Sequence, residues 1–142
     1  MRIASLLLIA LALTGCNRSS ATSEDIIGHR WAHALADCGD TYLDFSQDSI
    51  EFVRDGDMVN RLAVRRIVTD TAEPSTVMFV IEVDGAFVTR PVVPAGAADV
   101  AMLFKVEGDG MRLVGQGTPE KLQRVTMGEH NFGTFSLRRC PS

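Results

Sequence analysis

From Asp40 to Cys140, apolar side chains recur at every second position in short runs separated by turn-forming residues. That period sends neighbouring side chains to opposite faces of an extended chain, so each run reads as a strand with one face toward a core. Leu43 and Phe45 flank Asp44, and Ile50 and Phe52 flank Glu51, with polar Ser46 to Ser49 between them. Thr41 to Arg54 is therefore expected to form a hairpin. Asp55-Gly56-Asp57 supplies the next turn, because Gly accepts the positive φ of tight hairpins. Leu62 and Val64 keep the alternation, but Ile67 falls on the opposite parity, which predicts a bulge near Arg65-Arg66. Val77 to Val83 is apolar on both faces, the pattern of a central or covered strand. Asp84-Gly85 turns the chain back into Phe87 and Val88. Met102, Phe104 and Val106 then alternate, Gly108-Asp109-Gly110 turns, Met111 and Leu113 continue, and Phe135 and Leu137 lead to Cys140. The fold expected is mainly β: an antiparallel up-and-down meander closing into a small barrel or sandwich.

One or two short helices are expected beside it. Ile27, Trp31 and Leu35 recur at four-residue spacing, Thr22 with Asp25 forms a capping-box pair, and Gly39 suits a helix end. These favour a helix from about Ser23 to Asp37. Thr118-Pro119-Glu120 places a cap, a Pro and an acid in helix-opening order, so a short helix to about Val125 competes there with a strand. Against the first helix, Gly28-His29-Arg30-Trp31 resembles, with one residue inserted, the Gly-x-Trp start of the first strand in lipocalin-like barrels. The strand order and the Asp-Gly and Gly-Asp-Gly turns are also similar to small lipocalin-like domains, from Ile26 to Arg139. That resemblance implies a small closed barrel and carries no ligand with it.

The chain has 142 residues, 46% of them hydrophobic, which suffices for one domain with a real core. Its net charge of −4 argues against a basic face that coats nucleic acid or an anionic membrane. Arg2 is followed by the apolar run Ile3 to Leu13, too short to span a bilayer, which needs roughly 20 residues, and suited to a secretory signal. Leu13-Thr14-Gly15-Cys16 resembles the lipobox of bacterial lipoproteins. The resemblance implies cleavage before Cys16 and acylation of Cys16 as the first mature residue. Several acyl chains hold a protein on a bilayer essentially permanently. Asn17, standing where that family commonly carries Asp for inner-membrane retention, leans toward the outer membrane facing the periplasm. The expected organisation is a signal peptide at 1–15, the lipidated Cys and a flexible tether at 16–25, and a single β-rich domain at 26–142.

With Cys16 assigned to lipid, Cys38 and Cys140 remain, and an oxidising compartment makes a disulfide between them the default. No Cys-x-x-Cys pair suggests redox chemistry. His29 and His33 would share a face on a helix as half of a metal site, but no His-Glu-x-x-His pattern or thiolate cluster completes it, and no metal is assigned. Asp55-Gly56-Asp57 lacks the remaining ligands of a calcium loop. Gly108-x-Gly110 lacks the third glycine of a dinucleotide loop. No nucleophile elbow and no phosphate-binding loop is present, so neither catalytic residues nor cofactors are assigned. Arg65-Arg66 and Arg138-Arg139 read as solvated sheet faces with local salt bridges, or as a grip on an anionic partner.

Three functions remain open: a non-catalytic envelope lipoprotein that binds another protein (inhibitor, immunity or accessory factor), a small carrier of an apolar ligand, or an envelope enzyme. The expected inner faces hold Phe45, Phe52, Phe79 and Phe104, which fill a barrel of this size and favour protein contact over carriage. The candidate partner loop is Pro91-Val92-Val93-Pro94, stiffened by its two prolines and free of charge; its alternative role is a lid folded over one barrel end. Cys16→Ser is expected to abolish lipid labelling and membrane association. Membrane fractionation of the variant in the same processed form would overturn the lipobox reading.

Overall fold

The computed structural model describes residues 21–33, 36–83, 96–125 and 136–142. Nine strands occur among them: β1 (Arg30–His33), β2 (Tyr42–Phe45), β3 (Ser49–Arg54), β4 (Asp57–Val68), β5 (Thr76–Glu82), β6 (Asp99–Glu107), β7 (Gly110–Thr118), β8 (Lys121–Arg124) and β9 (Ser136–Arg139). Each of β1 to β7 pairs antiparallel with the next, and β9 lies between β7 and β1, closing an eight-stranded antiparallel barrel. β6 takes one edge of β7. On the other edge, Gly110 to Arg112 pair with β9 and Gly115 to Thr118 pair with β8. β8 thus continues the line of β9 instead of adding a ninth stave. The architecture is a barrel of lipocalin-like type and not a sandwich.

Turn chemistry accounts for the register. Asp55 (φ 53°) and Gly56 (φ 82°) both adopt left-handed conformations between β3 and β4, as a two-residue primed turn requires. Between β2 and β3, the Ser46 hydroxyl accepts from Ser49 N–H at 3.0 Å, and Ser46 N–H donates to Ser49 O at 2.8 Å. That hydroxyl also donates to Asp48 Oδ1 at 2.7 Å and holds the Asp48 carboxyl below its usual value. The expected bulge is present: Val64 pairs with Ile81 and Arg66 with Val80, leaving Arg65 unpaired in the ladder. Both Val64 and Ile67 consequently pack against the core despite their opposite parity. The spare Arg65 points to its neighbours' carboxylates, with Nε 2.6 Å from Asp99 Oδ1 and Nη2 3.1 Å from Glu82 Oε1. Exposed pairs of this kind contribute little each.

Neither expected helix forms among the described residues. Ser23–Asp25 makes one 3₁₀ turn, on which Thr22 N–H donates to Asp25 Oδ2 at 2.7 Å, and the chain then enters β1. The four-residue spacing of Ile27 and Trp31 is not a helical stripe, because Ile26 and Trp31 are the fully buried pair and Gly28 breaks the chain between them at φ 79°. Leu35 lies outside the described residues. Thr118 pairs with Lys121 across Pro119-Glu120, so the Thr-Pro-Glu signal serves a hairpin turn between β7 and β8. Proline's fixed φ suits a turn as well as a first helical position.

The core lies inside the barrel. Phe45, Phe79 and Phe104 project from β2, β5 and β6 and meet edge-on, with ring centroids 5.4, 5.6 and 5.9 Å apart. Such geometry sets positive ring edges against negative faces. Ile50, Val77, Ile81, Met111, Leu113 and Leu137 surround them. Phe52, expected on the same face, is only half-buried and stands outside this cluster, with the Arg54 guanidinium 5.3 Å from its ring. Nearby, β4 carries a bulge: Asn60 pairs with Phe52 and Met58 with Val53, leaving Val59 extra where the β3–β4 hairpin nears its tip. Val80 and Ala101 are buried on the opposite face from the triad, so β5 is covered on both sides, as its two-sided pattern requires. Phe79→Ala is expected to cost about 3–5 kcal/mol in chemical denaturation, since the barrel wall cannot collapse onto the lost ring. A loss below 1 kcal/mol would place the load-carrying contacts elsewhere.

Candidate functional site

Strand directions divide the molecule into two ends. The near end holds the N-terminal turn and the β2–β3, β4–β5 and β6–β7 connections; the far end holds the β3–β4 and β7–β8 turns. A plug closes the near end. Ile26 is fully buried, Trp31 Nε1 donates to Ile26 O at 3.0 Å, and Gly28 N–H donates to Phe45 O at 3.2 Å. Arg139 Nη2 donates to Asp25 O at 2.9 Å while its guanidinium lies 5.3 Å from the Trp31 ring. Arg139 is therefore occupied in joining the last strand to the first turn.

The other residues singled out by sequence fall as follows. Cys38 and Cys140 form a disulfide with Cα atoms 5.7 Å apart. Cys16 and the segment Pro91-Val92-Val93-Pro94 lie outside the described residues. His33 is exposed at the end of β1 and His29 precedes that strand, so the helical pairing of the two imidazoles is lost. Among the described residues no three His, Cys, Asp or Glu side chains gather as a metal-holding group. Arg138 Nη2 donates to Ala36 O at 3.0 Å, which fastens β9 to the chain that follows β1.

Two depressions mark the outside. One, of about 280 Å³, opens at the near end between Ala21-Thr22 and the β4–β5 loop Thr69 to Thr76. Two of its hydroxyls are engaged internally: Thr71 and Thr76 bond each other, and Thr76 Oγ1 donates to Glu73 O at 2.6 Å. The second, of about 100 Å³, lies on the wall formed by β6, β7 and β9. The barrel's width, where a carried ligand would sit, is taken up by the three phenylalanine rings.

At the far end, the β3–β4 hairpin exposes apolar side chains. Met58 is 57% and Val59 52% exposed, and the bulge at Val59 sets them beside each other at the tip. Water tolerates scattered apolar residues; these two are adjacent, on a hairpin tip whose Gly56 N–H donates to Asp40 O at 3.0 Å. Sequence reasoning passed over this pair; its signal is that Met58-Val59 breaks the alternation at a turn. Comparison with known protein families, curated proteins and solved structures found no match for the chain.

Arg139→Ala removes both the ring contact and the bond to Asp25 O. It is expected to cost roughly 1–3 kcal/mol and to shift Trp31 fluorescence to the red. Unchanged fluorescence would show that the plug holds without the guanidinium.

Proposed function

We propose that the chain is a membrane-anchored envelope lipoprotein whose barrel acts without catalysis by binding another protein, in an inhibitory, immunity or accessory role. The reading is carried by one contrast: phenylalanines occupy the barrel's interior width, while Met58 and Val59 stand exposed at the far end. The address comes from Leu13-Thr14-Gly15-Cys16. Its consequence for orientation follows from chain length. Ala21 is buried at the near end, and the five residues from Cys16 reach at most roughly 18 Å when extended. An acylated Cys16 therefore keeps the near end by the bilayer and presents the far end, with its apolar hairpin tip, to the periplasm.

The test is affinity capture from envelope extract with the mature lipoprotein and its Met58→Asp/Val59→Asp variant. Both substitutions fall at exposed positions, where changes in stability stay within about 0.5 kcal/mol. The expected result is one stoichiometric protein retained by the parent and lost by the variant at unchanged melting temperature. Equal capture by both proteins would overturn the hairpin as the contact.

A further inference from the structure

We infer that the outer wall of β6, β7 and β9 near the β6–β7 turn binds a phosphate group. Leu137, Met111 and Phe104 face the core, so strand alternation turns Ser136, Arg112 and Lys105 outward. The register sets these three side by side, since Lys105 pairs with Arg112 and Arg112 with Ser136. The adjacent row is Glu107, Gly110 and Arg138, paired in the same way. Gly110 thus forms a floor without a side chain, beside an ammonium, a guanidinium, a hydroxyl and one carboxylate, while the Arg138 guanidinium is turned to Ala36 O. The depression over it, lined by Lys105, Glu107, Gly110, Met111, Arg112 and Ser136, measures about 100 Å³. That equals the liquid volume of about three waters, at ~30 Å³ each.

Two features point to an anion from outside. The single carboxylate does not satisfy the cations: Glu107 Oε1 is 3.5 Å from Lys105 Nζ and 3.9 Å from Arg112 Nη2, beyond the ~2.7–2.9 Å of a charge-assisted hydrogen bond. In addition, Arg112 Nε is buried with no hydrogen-bond partner among the described residues. A buried donor left unpaired costs about 1–3 kcal/mol, and rotation of the Arg112 side chain, 43% exposed as a whole, would offer Nε to an oxyanion. Arg112 contributes a planar fork, Lys105 a point charge and Ser136 a neutral donor, a set that suits the several oxygens of a phosphate.

The chemistry has two sources, a free phosphate ion or the phosphodiester of a lipid headgroup. The lipid source rests on the anchoring reading above, because this wall lies toward the near end where Ala21 enters. The near-end turns themselves carry Asp48, Asp70, Glu73 and Asp109, which oppose an anionic surface, so the side wall is the approach that charge allows.

The mature lipoprotein in neutral detergent, titrated with inorganic phosphate and separately with glycerophosphoglycerol, tests the site through the amide resonances of Gly110, Arg112 and Ser136. Saturable shifts are expected, weakened at least tenfold in Lys105→Gln/Arg112→Gln and tightened in Glu107→Gln, with chloride at equal ionic strength inert. Response to both ligands supports a headgroup site, and response to inorganic phosphate alone supports the same site with the free ion as occupant. Absence of saturable shifts, or equal affinity in parent and variants, would overturn the proposal. Neither outcome depends on whether the hairpin tip binds a protein.

Discussion

Everything in this molecule depends on how the sheet is closed. β1 contributes only four residues, yet it must bond β2 on one edge and β9 on the other. Three residue pairs hold it to β9: Trp31 with Arg139, Ala32 with Arg138, and His33 with Leu137. So short a seam is weak alone, and several contacts outside the ladder gather there. Arg139 covers Trp31 and bonds the N-terminal turn, Arg138 bonds Ala36 O, and the Cys38–Cys140 disulfide joins chain positions 102 residues apart. The chain-entropy model gives a bridge closing that length about 4–5 kcal/mol, though engineered bridges often deliver less. Closure removes the sheet edges at the seam, and it bends the wall so that β2, β5 and β6 face one another across the interior.

That curvature is what adds Phe45 to the cluster. Phe79 and Phe104 are diagonal neighbours on the paired strands β5 and β6, whereas Phe45 on β2 reaches their rings only across the closed wall. The rings fill the interior, and the polar and apolar variety of the molecule lies on the rim and the walls, where a bulge at Val59 sets the hairpin tip and the β6–β7–β9 register places Lys105, Arg112 and Ser136 side by side.

The fold was largely legible because its signals are local. Hairpin turns depend on residues such as Asp55-Gly56, and the bulge at Arg65 followed from the parity of Val64 against Ile67. The helical expectations failed for a physical reason as well. Four-residue apolar spacing does not distinguish a helix face from a 3₁₀ turn followed by a strand when the segment's burial is decided by the far wall. Trp31 is buried by Arg139 and Ile26, and Pro119 sits in a turn because β7 has an edge for β8 to join. The sites were less legible. The pair Met58-Val59 was visible as a break in alternation, but its exposure depends on where the barrel ends. Arg138 was noted only as half of a basic pair, and Lys105 and Arg112 gave no signal, since strand pairing alone makes these two neighbours.

The sequence by itself determined the period of the strands, the positions of most turns, one bulge and the two cysteines left for a bridge. Each of these is set by interactions within a few residues or by a count. The tertiary structure alone decided that the meander closes as a barrel, that β8 and β9 share one edge of β7, and that Phe52 leaves the core while Trp31 enters it. Those outcomes rest on contacts between residues far apart in the chain, whose strength depends on the curvature and register of the whole wall, and no local window of sequence contains that information.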